Sequence, residues 1–471
     1  MPTTPKRVPP RWHDPLLVGV VAVIVRFTWV GFMSRTPKGL SDPVIYLAAA
    51  RSIASGHGYR TITGTPTSYY PPGYPFFLGA IQWFVNLVGL DSHFVLIVGL
   101  IQAVLGAFTA ALVVVIGRRL VAPTHRARLV GLTGGLIVAF WPNLIAHSSL
   151  LLSETLFIAV FTLLAALIIK SLLGDARRLD LLVSAALLMG IATLIRPQSA
   201  LLLIPAVAIA MLVARQGIRQ ASVHIGALCL GVVLVVTPWT IRNSEVLGGP
   251  VFVSTNTGDN LCIGFNPDAE GGFAMPPRCQ TETSYTDGPT EERLRDSELR
   301  DRAMDWALGH PMSLPGLGIS KIIITFQSDH DAIRAVESFG EDPFLGDRTR
   351  SVLNGMADTY YFIVLTLALV GLVGSFARRS SRQGLLGGQG AARLTVVLVV
   401  LAGALIPVLS FGEPRFKVPL EPFLALLAAV AVGEFAMMRS GRYPSEEPQE
   451  LHQFQEGAAA PNSTDDQRVV P

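Results

Sequence analysis

The chain has 471 residues, 50% of them hydrophobic and only 15% charged, with a mean hydropathy of +0.48. Several apolar runs reach the ~20 residues that cross a bilayer, which excludes an ordinary water-soluble domain. The formal net charge is +3 and the arginines are scattered over loops, so the composition does not indicate a nucleic-acid partner.

Apolar runs alternate with polar connections along most of the chain. A basic N-terminus precedes the first run and no small-residue cleavage site follows it, so this run is interpreted as a retained helix and not as a signal peptide. The runs lie near residues 15–34, 75–90, 93–116, 129–146, 149–169, 181–196, 198–214, 222–240, 352–376, 394–411 and 418–437. Short basic loops mark the cytoplasmic side. They lie at residues 117–128, 170–178, 215–220 and 378–382.

This orientation places residue 42 outside and residue 118 inside, which requires an odd number of crossings although two apolar runs lie between them. The run at 75–90, PFFLGAIQWFVNLVGL, is short and carries Gln82 and Asn86. It is therefore predicted to lie along the outer surface or to dip in and return. Ten spanning helices remain, with both chain ends inside.

The sequence thus predicts an all-α polytopic membrane protein with about ten transmembrane helices and two large extracytoplasmic loops, the first containing juxtamembrane helices. In the second loop, residues 289–310 begin with Pro and Glu and end before Pro311, as a helix does. The predicted parts are a cytoplasmic N-terminus 1–14, an N-terminal transmembrane module 15–240 including the first loop 35–92, the large loop 241–351, C-terminal transmembrane helices 352–437 and a disordered cytoplasmic tail 438–471.

Two acids occupy predicted outer helix ends. Asp42, in SDPVIYLAAARSIASGHGYR, shares a helical face with Tyr46. Glu154, in SSLLLSETLF, follows His147 by seven residues. Ionisable groups at a membrane boundary are functional candidates. The alternatives are that Asp42 is an N-cap beside Ser41, and that the helix dipole alone favours Glu154.

Three arginines lie at outer helix ends, opposite to the basic-inside pattern. They are Arg196, Arg242 and Arg415, with Lys417 close to the last. Because a guanidinium presents a planar fork of donors, these residues are predicted to hold an anionic lipid headgroup. The alternative is that each side chain only reaches towards water.

Two polar segments offer surfaces for sugars. TPTSYYPPGYPFF combines a rigid Pro pair with aromatic rings, among them Tyr69 and Tyr70, and suits a sugar, an isoprenoid chain or an interfacial aromatic belt. VFVSTNTGDNLCIGFNP contains Asn256 and Asn260, whose amides suit sugar hydroxyls, although a polar loop with turns looks the same.

Cys262 and Cys279 lie in the large loop, where a disulfide or two free thiols are both possible. The sequence has no zinc spacing, phosphate-binding Gly loop, Ser-His-Asp signature or nucleotide fingerprint. It indicates no certain cofactor, and a divalent metal stays open without a clear ligand set. Pro43 and Val44 follow Asp42, so the Asp-x-Asp pair that holds the metal of a nucleotide sugar is missing. This favours a lipid-carried donor.

Taken together, the chain resembles the membrane glycosyltransferases of the GT-C superfamily, most closely the branch of protein O-mannosyltransferases and aminoarabinose lipid A transferases. The ordered motifs that carry the resemblance are SDPVIYLAAARSIASGHGY, YYPPGYPFFLGAI, LLLSETLF, LIRPQ, TPWTIRNSEVLGGPVFVSTNTGDNLCIG and PRFKVPLEPFLALLAA. The resemblance implies a GT-C-type fold and an inverting transferase that uses a polyprenyl-phosphate sugar.

The resemblance also implies roles for matching residues. Asp42 is the candidate base, Glu154 positions the acceptor or assists Asp42, and Arg415 binds phosphate. Tyr69 and Tyr70 of the Pro-Pro segment lie near the donor. Many relatives have a second acid where this chain has Pro43, and some have a Lys where it has Tyr70, so metal binding is in doubt and phosphate binding falls on the arginines.

The predicted acceptor is an extracytoplasmic protein, lipid or cell-wall glycan, and Tyr46, His147, Asn256 and Asn260 are the candidates to bind acceptor or sugar. The 32 arginines against 5 lysines are a coding bias that indicates a GC-rich genome and so a bacterial source. The predicted location is a bacterial plasma membrane, with the active site facing the extracytoplasmic side. The alternative is a multi-helix transporter or flippase of a lipid-linked or anionic substrate. A transporter would more often show two related halves, and no halves match here.

Overall fold

The structure is a computed structural model that describes residues 12–121, 125–173, 178–213, 215, 217–282, 284–377 and 388–439. The predictions for the N-terminal residues 1–11, the basic loop 378–382 and the tail beyond 439 lie outside the described residues. The contact pattern divides the chain into a unit of residues 1–433 and a unit of residues 434–471. The site described below lies within the first unit.

The described residues fold into helices, and the only other pairing between them is two isolated β-bridges. The helices are α1 His13–Met33, α2 Asp42–Ala54, α3 Gly73–Leu87, α4 Phe94–Gly117, α5 His125–Phe140, α6 Pro142–His147, α7 Glu154–Leu173, α8 Leu179–Ile195, α9 Gln198–Val213, α10 Ile218–Leu247, α11 Thr257–Gly264, α12 Pro289–Gly309, α13 Leu314–Phe326, α14 Asp331–Val336, α15 Asp347–Ala377, α16 Gly388–Leu405 and α17 Glu421–Arg439. The predicted all-α class is confirmed.

Within the described residues, seven helical segments are long and apolar enough to cross a membrane, so the chain is a multi-pass membrane protein. They are His13–Met33, Asp91–Gly117, Glu154–Leu173, Ile218–Leu247, Asp347–Gly374, Gln389–Leu409 and Pro414–Ala436. The other three predicted spans coincide with α5, α8 and α9, which have only 16 or 17 residues. The predicted number of ten is therefore not confirmed.

The short helix α3, at 15 residues, occupies the run that was predicted to lie outside the set of spanning helices. It packs against α2, and both belong to the first loop. The predicted juxtamembrane helices of this loop are thus α2 and α3, and they bring Asp42 and the Tyr69–Tyr70 pair to the end of the bundle.

Arg26, in the middle of α1, is fully buried and stabilises the point where the helix is interrupted between α5 and α6. Its guanidinium donates to the carbonyls of Val138 at 2.9 Å and Ala139 at 3.0 Å. The Val138 carbonyl lacks its helical partner because Pro142, four residues ahead, has no N–H. The carbonyls at the interruption between α5 and α6 therefore find hydrogen-bond donors inside the protein, which a membrane interior requires because it offers no water.

Helices α8 and α10 approach closely through small residues. A Cβ at Gly231 would overlap the backbone of Ala186, so only glycine permits this contact. In a membrane, helices gain no hydrophobic free energy by leaving lipid for each other, so close van der Waals contact between their backbones stabilises the pair instead. The segment Pro414–Ala436, which begins with the turn that carries Arg415, is almost wholly buried within the protein.

Candidate active site

Four charged residues meet at one end of the bundle, and all four lie at helix ends. Asp42 opens α2 and Glu154 opens α7, whereas Arg196 directly follows α8. Arg415 lies in the 3₁₀ segment Pro414–Leu420, immediately before α17. The first and the last of them, Asp42 and Arg415, are 373 positions apart in the sequence. We call these four residues the charged cluster.

Arg415 is the centre of the charged cluster. Its Nη1 lies 2.8 Å from Asp42 Oδ2, and its Nε lies 3.2 Å from Glu154 Oε1. The second arginine, Arg196, places its Nη2 2.5 Å from the same Glu154 oxygen. Two guanidiniums thus share one carboxylate, and the cluster is balanced at two positive and two negative charges.

The two acids differ in access. Glu154 has a fully buried side chain, whereas the side chain of Asp42 is 25% exposed. A buried carboxylate between two guanidiniums is held by charge and hydrogen bonds and cannot leave without stranding both partners. Asp42 is therefore the more accessible of the two acids, and Glu154 fixes the spacing of the arginines.

Tyr70 holds the free oxygen of Asp42. Its hydroxyl donates to Asp42 Oδ1 at 2.6 Å. Burial raises the pKa of Tyr70 well above its ordinary value, and the charge of Asp42 raises it further, so the hydroxyl keeps its proton and donates at neutral pH. The Tyr46 ring packs 5.0 Å from that of Tyr70, which brings both predicted tyrosines to Asp42.

Sequence analysis did not single out Glu413, which lies two residues before Arg415. Its carboxyl is partly buried, and burial raises its pKa to about 7. Arg415 opposes that rise, while the charges of Asp42, Asp331 and Glu154 add to it. Glu413 therefore lies within electrostatic reach of Asp42 and Glu154, the two acids of the charged cluster. The PRFKVP motif pointed to this turn but not to its preceding acid.

We expect Glu413 to make the stability of the protein depend on pH. The pKa of its carboxyl is raised in the folded state, so its contribution is fully present below pH 4.5 and is lost as pH rises to about 7. The loss is on the order of 3 kcal/mol. Thermal unfolding of Glu413→Gln at pH 5 and pH 8 should show a smaller decrease in stability than the wild type, and the exposed-acid variant Glu245→Gln serves as a control. An equal decrease in Glu413→Gln and the wild type would contradict this assignment.

Two of the predicted phosphate ligands are engaged elsewhere. Arg242 donates at 2.8 Å to the Thr67 carbonyl and to the Ser68 hydroxyl, and its guanidinium lies 4.7 Å from the centre of the Trp239 ring. It was expected in the cluster because it also ends an apolar run. In the structure Arg242 instead ties α10 to the first loop, and its role as a phosphate ligand stays a prediction.

Lys417 is fully buried, and its ammonium is fully used within the protein. Its Nζ lies 2.8 Å from Asp329 Oδ1 and donates to the carbonyls of Ser328 and Pro414 at 2.6 and 3.2 Å. A buried ammonium requires such partners. Lys417 therefore anchors the Arg415 turn in this structure, and its role as a phosphate ligand stays a prediction.

The predicted sugar-binding amides do not join the charged cluster through any contact that the described part of the chain shows. Asn256 accepts a hydrogen bond from Ser254 within its own loop, at 2.9 Å, and Asn260 lies in α11. Helix α11 carries Cys262, which forms a disulfide with Cys279. The bridge thus joins α11 to the turn before α12.

Helix α12 of the large loop holds the Tyr69–Tyr70 segment, which sequence analysis did not predict. Glu292 accepts hydrogen bonds from the Thr67 hydroxyl at 2.6 Å and the Ser68 N–H at 2.9 Å. Tyr69 donates to Asp259 at 2.8 Å, and Arg295 pairs with both oxygens of that carboxylate. We call Glu292 and Arg295, with these partners, the α12 clamp. The acidic-basic pattern of residues 289–310 indicated a helix but not its partners.

Within the residues that the structure describes, no three His, Cys, Asp or Glu side chains lie close enough together to hold a metal ion. The charged cluster instead offers guanidinium donors. This arrangement can neutralise an anion by hydrogen bonds and charge alone.

Residues 67–219, about a third of the chain, match the model of the family described as "Protein O-mannosyl-transferase TMEM260 N-terminal domain". The chain resembles GT-C glycosyltransferases. The predicted resemblance is confirmed at this level, and it supports a membrane glycosyltransferase of the GT-C type. The matched residues include Tyr70, Glu154 and Arg196 of the site.

Two solved structures of ArnT from Cupriavidus metallidurans are among those to which the chain is similar. The structure bound to undecaprenyl phosphate has 15% identity and a TM-score of 0.41, over 90% of this chain and 79% of that one. The apo structure has 17% identity and a TM-score of 0.39, over 90% and 78%. Likenesses this distant do not decide function. No curated protein matches the chain in sequence.

Proposed function

We propose that the protein is a glycosyltransferase that moves a sugar, with inversion, from a polyprenyl-phosphate donor to an acceptor hydroxyl outside the cytoplasm of a bacterium. The observation that carries the proposal is the contact of Arg415 with the partly exposed Asp42 on one side and the buried Glu154 on the other. It unites an anion-binding group and a proton acceptor at the end of a membrane bundle.

In the proposed reaction, the lipid phosphate competes with Asp42 for the Arg415 fork. Arg196, which the buried Glu154 keeps beside Arg415, adds a second positive charge. Both guanidiniums stabilise the negative charge that develops on the departing polyprenyl phosphate, a role that is typically a large part of catalysis. Glu154 is in this scheme a positioning residue, because its buried carboxylate cannot reach an acceptor.

Asp42, released from Arg415, takes the proton of the acceptor hydroxyl. The acceptor oxygen attacks the anomeric carbon as the bond from that carbon to the phosphate oxygen breaks, and the phosphate leaves on the opposite face. General-base catalysis of this type contributes ~10²–10⁴ in rate. Tyr70 keeps its hydrogen bond to Asp42 and thereby orients the carboxylate towards the acceptor.

The proposal is tested by incubating the purified protein in lipid vesicles with polyprenyl phosphates that carry radiolabelled mannose or arabinose, together with a membrane extract as the source of acceptors. We expect label to leave the lipid and enter a larger product. Passage of intact labelled lipid across the vesicle bilayer without chemistry would support the transporter alternative and contradict the proposal.

A further inference from the structure

A group of buried acceptor atoms lies next to the charged cluster and has no hydrogen-bond partner among the described residues. They are Nε2 of His147, Oε2 of Glu154 and Oδ1 of Asp331. The His147 side chain is 1% exposed and that of Glu154 is fully buried. A buried polar atom without a partner costs free energy, so such a group indicates a site that another molecule completes.

These atoms come from elements that pack together. His147 ends α6, Asp331 opens α14, and the two helices contact each other. The Thr155 hydroxyl donates to the His147 carbonyl at 3.2 Å, which ties α6 to the start of α7 beside Glu154. His147 lies within electrostatic reach of Glu154, and Asp331 within reach of Glu413.

All three unpartnered atoms are hydrogen-bond acceptors. His147 Nδ1 lies 2.9 Å from the Asn143 carbonyl, which can only accept, so Nδ1 carries the hydrogen and Nε2 of the neutral ring is an acceptor. Nε2 is 3.9 Å from Asp331 Oδ2, too far for a direct hydrogen bond. A hydroxyl carries one hydrogen and can donate to only one of these two groups, so two hydroxyls of one sugar ring are needed to serve both. All three atoms accept, so the occupant must donate.

We propose that His147, Asp331 and Glu154 form a subsite for hydroxyl groups of the sugar carried by the donor lipid. This rests on the proposed function, because the sugar is bonded directly to the phosphate that Arg415 binds, and Arg415 contacts Glu154. An acceptor of protein, lipid or glycan size reaches the more exposed Asp42 instead. The subsite therefore reads the donor sugar and not the acceptor.

The test compares binding of two lipids of equal chain length by calorimetry in detergent micelles. One is bare polyprenyl phosphate, and the other is polyprenyl phosphate carrying mannose or arabinose. We expect the wild type to bind one of the sugar lipids more tightly than the bare lipid. Asp331→Asn and His147→Phe should decrease that preference roughly tenfold to a hundredfold, as for a hydrogen bond lost to a charged or buried partner. Binding of the bare lipid should change less than about twofold, within the uncertainty that context gives such bonds.

Asp347→Asn is the matched control, since Asp347 also opens a helix but is fully exposed, and it should change neither affinity. His147→Phe keeps an aromatic ring and Asp331→Asn keeps the shape, so retained binding of the bare lipid shows that both variants fold. A preference for the sugar lipid that both variants retain overturns the proposal, as does a wild type that binds bare lipid as tightly as both sugar lipids. If the wild type binds none of these lipids, the proposed function itself fails.

Discussion

An Asp42→Asn variant should lose ~10²–10⁴ in the rate of sugar transfer while binding polyprenyl phosphates as the wild type does. The amide keeps the shape of the side chain and can still accept the Tyr70 hydrogen bond, but it cannot take a proton from the acceptor. Removing its charge also frees Arg415 from the competing carboxylate, so lipid binding should not weaken. Single-turnover transfer and calorimetric binding, measured on the same preparation, check both expectations.

The control is Asp91→Asn, which removes an exposed carboxylate from the same loop and should leave transfer unchanged. If Asp42→Asn transferred sugar at the wild-type rate, Asp42 could not be the base. A loss of lipid binding equal to the loss of transfer would instead assign Asp42 to the donor site.

An Arg415→Gln variant should lose both donor binding and transfer, with transfer falling on the order of 10²–10³. The substitution removes the fork that would hold the lipid phosphate, and it leaves Asp42 and Glu154 with Arg196 as their only counter-charge in the cluster. Arg415→Lys should recover part of the binding but little of the rate, because an ammonium is a point charge and lacks the planar pair of donors. Titration with polyprenyl phosphate and initial rates of transfer separate the two effects.

Arg278→Gln is the matched control, since Arg278 pairs with Asp268 on the exposed surface of the large loop. Equal lipid affinity in Arg415→Gln and Arg278→Gln would remove Arg415 from the phosphate site. Full recovery of the rate by Arg415→Lys would show that charge alone, without the fork, suffices.

The helices and the charged cluster could be predicted from the sequence for one physical reason. Apolar runs of membrane length become helices because the backbone N–H and C=O groups of each run must form hydrogen bonds within that run. Polar residues at the boundaries of these runs therefore lie at the ends of the bundle. Asp42, Glu154, Arg196 and Arg415 were predicted at one membrane face in this way. The three short helices show the limit of this approach, since apolar composition alone does not fix the number of crossings.

The remaining partners depend on contacts that no local pattern encodes. Arg196 and Arg242 both come near the end of an apolar run, but Arg196 follows α8 whereas Arg242 lies within α10, where Trp239 and the first loop hold it. Its place near a run end therefore does not reveal its partner. Asp331 opens α14 and Glu413 directly precedes the 3₁₀ segment, and their position beside the cluster follows from how these two segments pack. The α12 clamp likewise joins residues more than 200 positions apart, such as Thr67 and Glu292.

The α12 clamp constrains how a bulky acceptor can enter. Separating helix α12 from the Tyr69–Tyr70 segment would remove the hydrogen bonds that the buried Glu292 side chain accepts from Thr67 and Ser68, and each hydrogen bond to a charged group contributes about 1.5–3 kcal/mol. Under the proposed function, we therefore expect a large acceptor to approach Asp42 from a side of the site other than the α12 clamp.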